Sequence, residues 1–273
     1  YVREKALLLV LDTMEHLLGG VDWVIDVLRS APRVVMLVTS RERLNLREEW
    51  VYAVGGLTYP EATKGGASSD GGTWSVKSYD AIQLFHRRAE QVDRHFSLSA
   101  ANAAPVARIC RLVEGMPLAI ELAAASADSR SCDEIERQIE RNIDVLTTSL
   151  RNVPDRQRSI RATFEHSWNL LSDQERAVFR KLSVFRGGFR ARAAEAVVGA
   201  SVPTLSALVG KSLLARASDG RYRVHELLRQ YAAEKLQEDH DQQEEARARH
   251  AAHYAVFLQA QDPALKRAHQ REA

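Results

Sequence analysis

The chain has 273 residues, with 38 Lys and Arg against 36 Asp and Glu for a formal charge of +2, and is 45% apolar and 27% charged. At about 100–200 residues per domain, that length suggests about two domains. The composition excludes a disordered tail, a collagen-like repeat and a coiled-coil rod, and the near-zero charge excludes a wholesale polycation. The longest apolar run, Ala6–Leu11, is strand-length and far short of the roughly 18 residues a membrane span needs. Two cysteines, Cys110 and Cys132, are too few for a disulfide framework. With no secretory leader at Tyr1, a cytoplasmic location without membrane contact is expected. A first residue other than Met reads as a piece of a longer chain.

The first 60 residues alternate strand and helix. Ala6–Leu11, closed by Asp12, predicts a strand buried on both faces. Leu17, Leu18, Val21, Val24, Ile25 and Leu28 recur at spacings of three and four, which predicts one amphipathic helix over 14–29, ended by Ser30-Ala-Pro32. Val34–Val38 is a second buried strand, stopping at Thr39-Ser-Arg41. Strand, helix and strand with short joints make a parallel βαβ unit. Ligands bind outside the carboxyl ends of such strands, where Asp12 and Thr39–Arg41 fall.

The Gly- and Ser-rich stretch 61–78 reads as a linker. Over 79–150, apolar spacing predicts four helices: Ile82 to Phe96, Val106 to Val113, Leu118–Ala127 behind Pro117, and Ile135 to Leu146. Over 151–238, Ile160, Phe164, Trp168 and Leu171 mark a helix, and Ser172-Asp-Gln-Glu175 is a capping box opening the next. Short helices follow at 191–198 and 203–210, then a hairpin around Ser218-Asp-Gly220 and an amphipathic helix carrying Leu227, Leu228, Tyr231 and Leu236. Helices followed by a two-stranded wing give the order of a winged helix. From 239 to 273, an acidic-then-basic segment precedes one more helix, carrying Ala251, Tyr254, Phe257 and Leu258.

Asp12, with Glu15 three residues on, supplies the candidate catalytic carboxylates. A carboxylate at a strand end can hold Mg²⁺ against nucleotide phosphates, because Mg²⁺ prefers oxygen ligands and keeps several waters; an Asp there also serves as a plain turn or cap. Thr39, Ser40 and Arg41 would bring hydroxyls and a guanidinium into the same crevice, and Arg matches phosphate geometry; a surface ion pair of Arg41 with Glu42 or Glu48 is the plainer alternative. Gly115-Met-Pro-Leu-Ala119 is a helix break and restart. His225 opens the last helix and could donate to a phosphate, or act as a capping or core histidine. Gly210-Lys-Ser212 imitates a phosphate loop but lacks the Gly five residues earlier, and His225-Glu226-Leu-Leu-Arg229 lacks the second His of a zinc motif. His250 and His253 read as residues of a solvated helix.

The residues match a known family. The chain resembles the signal-transduction ATPases with numerous domains (STAND), specifically the NB-ARC-like module of bacterial transcriptional regulators and predicted ATPases. Leu8–Leu17 resembles its Walker B strand, and Val38–Leu44 its sensor 1 segment. Glu114–Ala124 is similar to its GLPLA motif, Arg161–Ser172 and Phe179–Phe189 to the opening of its winged helix, and Val224-His225-Glu226 to its MHD motif. Thr13 stands where relatives carry Asp or Asn, Met116 replaces Leu, and Val224 and Glu226 replace the Met and Asp of MHD.

The resemblance implies a fold that is α/β, then mainly α: part of a parallel-sheet P-loop NTPase domain (1–60), a small helical domain (79–150), a winged helix (151–238) and the start of a tetratricopeptide-like array (239–273). It implies ATP or ADP with Mg²⁺ as cofactors. Asp12 would organise the metal, Arg41 would sense the terminal phosphate, Pro117 would pack near the adenine, and His225 would contact the ADP β-phosphate. Nucleotide exchange would release the winged helix and permit self-association, with a signalling ligand or protein read by downstream helical repeats and DNA contacted through domains outside the chain. No G-x-x-x-x-G-K-[ST] loop is present, so the expectation is a switch module without ATPase activity alone. Two alternatives stand beside it: a winged helix that binds DNA directly, since 151–192 hold ten Lys and Arg against four Asp and Glu, and a non-catalytic interaction scaffold. Those basic residues would otherwise form a solvated face or pair with the acidic stretch 234–245.

Overall fold

The computed structural model describes residues 2–61, 78–148 and 154–269. The linker expected over 61–78 therefore lies almost wholly outside the described residues. The first region pairs β1 (Leu7–Leu11) with β2 (Val34–Val38) in parallel, Leu7 opposite Val34 and Leu11 opposite Val38, through the crossover helix α1 (Asp22–Ser30). This is the expected βαβ unit, with two corrections. The helix over 14–29 is broken: 3-10 turns at Met14–His16 and Leu18–Gly20 precede α1. Thr13 in the left-handed region and the Gly19-Gly20 pair, a poor helix former, interrupt it. The strands are also not buried on both faces. Leu8, Val10, Val35 and Leu37 are 56–62% exposed, because α1 covers only the face carrying Val34.

Four helices follow: α2 (Asp80–Val92), α3 (Ala103–Leu112), α4 (Pro117–Ala124) and α5 (Cys132–Arg141). Pro117 is the first residue of α4, where its missing N–H costs nothing. The helix expected to run from Ile135 to Leu146 stops at Arg141. Asn142 adopts an extended conformation and its side chain caps a new 3-10 turn, Ile143–Val145. Ile82, Phe85, Val106, Ile109, Ile120, Ile139 and Leu146 are buried, and the core they form continues into the next helices.

Those are α6 (Ile160–Asn169), α7 (Asp173–Leu182), α8 (Ala191–Val198) and α9 (Val202–Gly210). The hairpin β3 (Ala215–Arg216) and β4 (Tyr222–Arg223) and the helix α10 (Glu226–Gln237) complete the order expected of a winged helix. The capping box of α7 closes as expected, the Ser172 hydroxyl accepting from the Glu175 N–H and the Glu175 carboxylate from the Ser172 N–H. At its centre Trp168 meets Phe179 and Tyr231, with Phe164 edge-on to the same Tyr231.

The last segment differs from expectation. The acidic-then-basic stretch is itself helical, so α11 runs unbroken from His240 to His269. Pairs one turn apart, including Arg249 with Glu245 at 2.7 Å, support it, and Gln243 and Ala246 are buried. His250 is only partly exposed on this largely solvated helix: its ring packs edge-on against Phe185, and burial pushes its pKa down. Among the described residues no single helix is long and apolar enough to cross a membrane.

Candidate functional site

Thr13 leaves β1 at φ 64°, which turns the chain across the end of β2, so that the Met14 N–H donates to the Thr39 carbonyl at 3.0 Å. The Thr13 N–H donates to Thr39 Oγ1 at 3.0 Å, and that hydroxyl donates to the Asp12 carboxylate. Asp12 and Thr39 thus form one hydrogen-bonded pair, exposed at the carboxyl ends of the strands. Ser40 is exposed beside them, its hydroxyl accepting the Glu42 N–H at 3.2 Å.

Glu15 and Arg41 turn toward α6 instead. The Glu15 side chain is 2% exposed, its Oε1 3.8 Å from Arg41 Nε. The Arg41 guanidinium donates to the Thr163 carbonyl at 2.9 Å and to Ser167 Oγ at 2.6 Å. The Ser212 hydroxyl, after α9, donates to the Arg41 carbonyl at 3.1 Å. Arg41 therefore pins the strand end to the helical body, and its carboxylate neighbour is Glu15, where the sequence suggested Glu42 or Glu48.

A second junction forms at the start of α10. His225 Nδ1 accepts the Leu227 N–H at 3.1 Å, so the proton sits on Nε2, which donates to the Val113 carbonyl at 3.2 Å. The adjacent Glu226 N–H donates to Glu114 Oε1 at 3.2 Å. Burial holds the His225 pKa below its ordinary value, against the opposing pull of Glu114 and Glu226. Glu226 is held below the usual carboxylate range: burial opposes this, but the Arg229 hydrogen bonds and charge outweigh it.

The Val113–Met116 loop is shaped for close approach. Glu114 and Gly115 both have positive φ, 46° and 70°. The Gly115 carbonyl accepts the Leu57 N–H at 2.8 Å, and a Cβ on Gly115 would lie 2.1 Å from the Leu57 carbonyl oxygen. Pro117 follows, exposed on the first turn of α4. Three segments distant in sequence, 56–59, 113–117 and 225–227, so meet at one place. Sequence reasoning singled out Pro117 and His225 as site residues and quoted Glu114, Thr163 and Ser167 only within motifs, without the contacts they and Val113 make. For Glu114 a signal existed, a residue beside a glycine at a helix break; for the α6 residues it was the Arg161–Ser172 motif, which did not point to Arg41.

Part of the basic opening of the winged helix is paired, while Arg186, Arg190 and Arg192 stand exposed on its surface. Arg161 bridges Asp144 and Glu234, Arg180 lies 3.7 Å from Asp239, and Lys211 Nζ bonds Glu175 Oε2 and the Leu170 carbonyl, both at 3.0 Å. The plainer sequence reading of this charge, a solvated face or pairing with 234–245, is met in both forms: Arg161 and Arg180 pair with Glu234 and Asp239, and Arg186, Arg190 and Arg192 are exposed. Lys211 is spent inside the winged helix, consistent with dismissing Gly210-Lys-Ser212 as a phosphate loop.

A family model described as a winged helix-turn-helix domain matches residues 171–237. A Mycobacterium tuberculosis protein provisionally named an HTH-type transcriptional regulator is 32% identical over 283 aligned residues, covering 99% of this chain and 30% of the relative. An uncharacterized M. tuberculosis protein is 36% identical over 250 residues, covering 87% of this chain and 59% of its own length. The chain thus spans about a third of the first relative and under two thirds of the second. A solved STAND protein with a tetratricopeptide repeat sensor, from Pyrococcus horikoshii, aligns over 84% of this chain and 28% of its own at 16% identity, with a TM-score of 0.27. That score is too low to carry an argument. The molecule is mostly helical, with a small two-stranded parallel sheet and a winged helix domain.

Proposed function

We propose that this chain is the switch module of a regulator, in which the winged helix is latched onto the helical region and released by a change of nucleotide. The observation that carries this reading is the junction of His225 and Glu226 with Val113 and Glu114. It joins two motifs singled out separately in the sequence, through a neutral histidine and one carboxylate, groups that a competing anion would displace. In this reading ATP or ADP with Mg²⁺ binds at Asp12 and Thr39, with Ser40 beside them, in a longer protein that adds a phosphate-binding loop. Pro117 flanks the base. His225 and Arg41 exchange their present protein partners for phosphate. Glu15, aimed at α6, is given no catalytic role. ATP hydrolysis, self-association on release and signal reading by repeats continuing from α11 belong to that longer protein.

Direct DNA reading is the second possibility, favoured by the relative's name and by exposed Arg216 and Arg223 on the wing. Against it stands α9, the helix in the recognition position, Val202–Gly210, which has no charged residue. Its exposed residues, Val202, Pro203 and Ser206, offer one hydroxyl to base edges. The test measures duplex DNA and Mg-ADP binding to the chain, and amide exchange with and without His225→Ala. The expected result is no salt-dependent DNA binding near micromolar affinity, weak nucleotide binding, and exchange at 113–116 and 226–228 raised at least about tenfold by the substitution. Tight, salt-sensitive DNA binding would replace the switch by the DNA reading, and unchanged exchange would remove the latch.

A further inference from the structure

We propose that Glu15, His16 and His166 form a site for one zinc-class divalent cation, tying the turn after β1 to α6. One carboxylate oxygen and two imidazole nitrogens lie within 4.8 Å of one another, and the two rings meet edge to face at 4.8 Å between centroids. Glu15 and His16 are neighbours on the 3-10 turn that Thr13 swings out of β1, and His166 comes from the turn of α6 that Arg41 grips at Thr163 and Ser167. The contacts that dock the two regions therefore also assemble the donor set.

Glu15 points to the ligand. Its side chain is 2% exposed and Oε1 faces Arg41 at 3.8 Å, while Oε2 is buried with no hydrogen-bond partner. A buried carboxylate oxygen left unmatched is costly, and a cation at Oε2 removes that cost without displacing Arg41 from the other oxygen. Two imidazoles and one carboxylate select zinc and its first-row neighbours, whereas Mg²⁺ takes oxygen ligands, so this site is chemically distinct from the magnesium position proposed at Asp12. Tetrahedral bonds of about 2.0–2.2 Å put ligand atoms roughly 3.3 Å apart, so side-chain rotations of little more than an ångström complete the shell. His16 is exposed, giving the ion a path from solvent and a water as fourth ligand. The ion would fasten the α/β region to the winged helix at the contact a switch must open or hold.

The test strips the chain with a chelator and titrates zinc against a chromogenic competitor in millimolar magnesium. One equivalent should bind with a Kd of about 10 µM or tighter, and His16→Ala, His166→Ala and Glu15→Gln should each weaken it at least about tenfold. His250→Ala and His253→Ala, on α11, should leave it unchanged. Circular dichroism checks each variant's fold. Should one fail to fold, Co²⁺ added to the unaltered chain decides: intense visible bands of a low-coordinate nitrogen–oxygen site at one equivalent support the proposal. Absence of stoichiometric binding, a weak six-coordinate cobalt spectrum, or zinc affinity that survives both histidine substitutions overturns it.

Discussion

Residues 2–60 and the helices from Ala81 to Ala232 are held together differently. Among the described residues, the first region buries only Met14, Glu15, Val24, Ala31 and Val34, and none of these joins the main core. The second region shares one contiguous core in which Ile82, Ile120, Leu182 and Leu227 are all fully buried. The sheet leaves a strand face open, and its region reaches the body through hydrogen bonds and charges at Arg41, Ser212 and Leu57 and through Leu57 and Tyr59 packed against the main core. A parallel sheet covered on one face only is unusual. Among the described residues, the α/β region thus adds fewer buried apolar side chains to the shared core than the helices add to one another.

The largest effect that probes this difference is Phe179→Ala. Phe179 is 1% exposed and packs against Trp168, so truncation should cost about 3–5 kcal/mol, read by urea unfolding. The transition monitored in the body should shift while amide protection in β1 and β2 changes little. Equal losses in both regions would mean that they unfold as one.

Gly115→Ala comes next. A left-handed alanine costs about 1–2 kcal/mol, and losing the Leu57–Gly115 hydrogen bond adds about 1 kcal/mol. The new Cβ would meet the Leu57 backbone, which cannot move like a side chain. The expected loss of about 2–3 kcal/mol should appear as raised exchange over 56–59 and 225–227 together, because the loop links them.

Much of the body was legible beforehand because its signals are local. The period of Ile82, Phe85 and Ala89, the Ser172 to Glu175 box and the Asp219-Gly220 turn each fix an element within a few residues, and Gly220 takes the positive φ of 78° that such a turn uses. The junctions were not legible, because Arg41 finds Thr163 and Ser167 more than a hundred residues away. No spacing rule connects such positions. The broken helix over 14–29 failed for a local reason, since the apolar period ran through Gly19-Gly20 while the backbone preference did not. The open strand face failed because an apolar run reports what a strand can bury, and not what covers it.

His225 gives the comparison a pH axis. The groups facing it are Glu114 and Glu226, and its folded pKa is depressed by burial, so the unfolded or undocked chain binds the extra proton. The junction of His225 with the Val113–Glu114 loop is then fully stabilised above the unfolded value of about 6.5 and weakens as pH falls below it toward the folded pKa. Protonation would also make Nδ1 a donor facing the Leu227 N–H, which breaks the cap. Exchange at 225–227 should rise on acidification from pH 7.5 to 5.5, and His225→Asn, which still caps a helix, should flatten that dependence. A profile unchanged by the substitution would assign the pH response elsewhere.

The smallest effect concerns the attachment itself. Arg41→Ala removes two hydrogen bonds, but its side chain is 31% exposed and water competes for it, so the docking loss should be about 1 kcal/mol. Core unfolding should stay within about 0.5 kcal/mol of the unaltered chain, while proteolysis at Arg43 and Arg47 accelerates. The contact can be separated from any general loosening by a double-mutant cycle with Ser167→Ala: a coupling of about 0.5 kcal/mol or more would locate the docking energy at this pair. Additivity would assign it instead to the Thr163 carbonyl and to Glu15, which also lies beside Arg41. In that case adding zinc should restore protection to Arg41→Ala, since the cation would satisfy Glu15 and bind His166 on α6 whether or not the guanidinium is present.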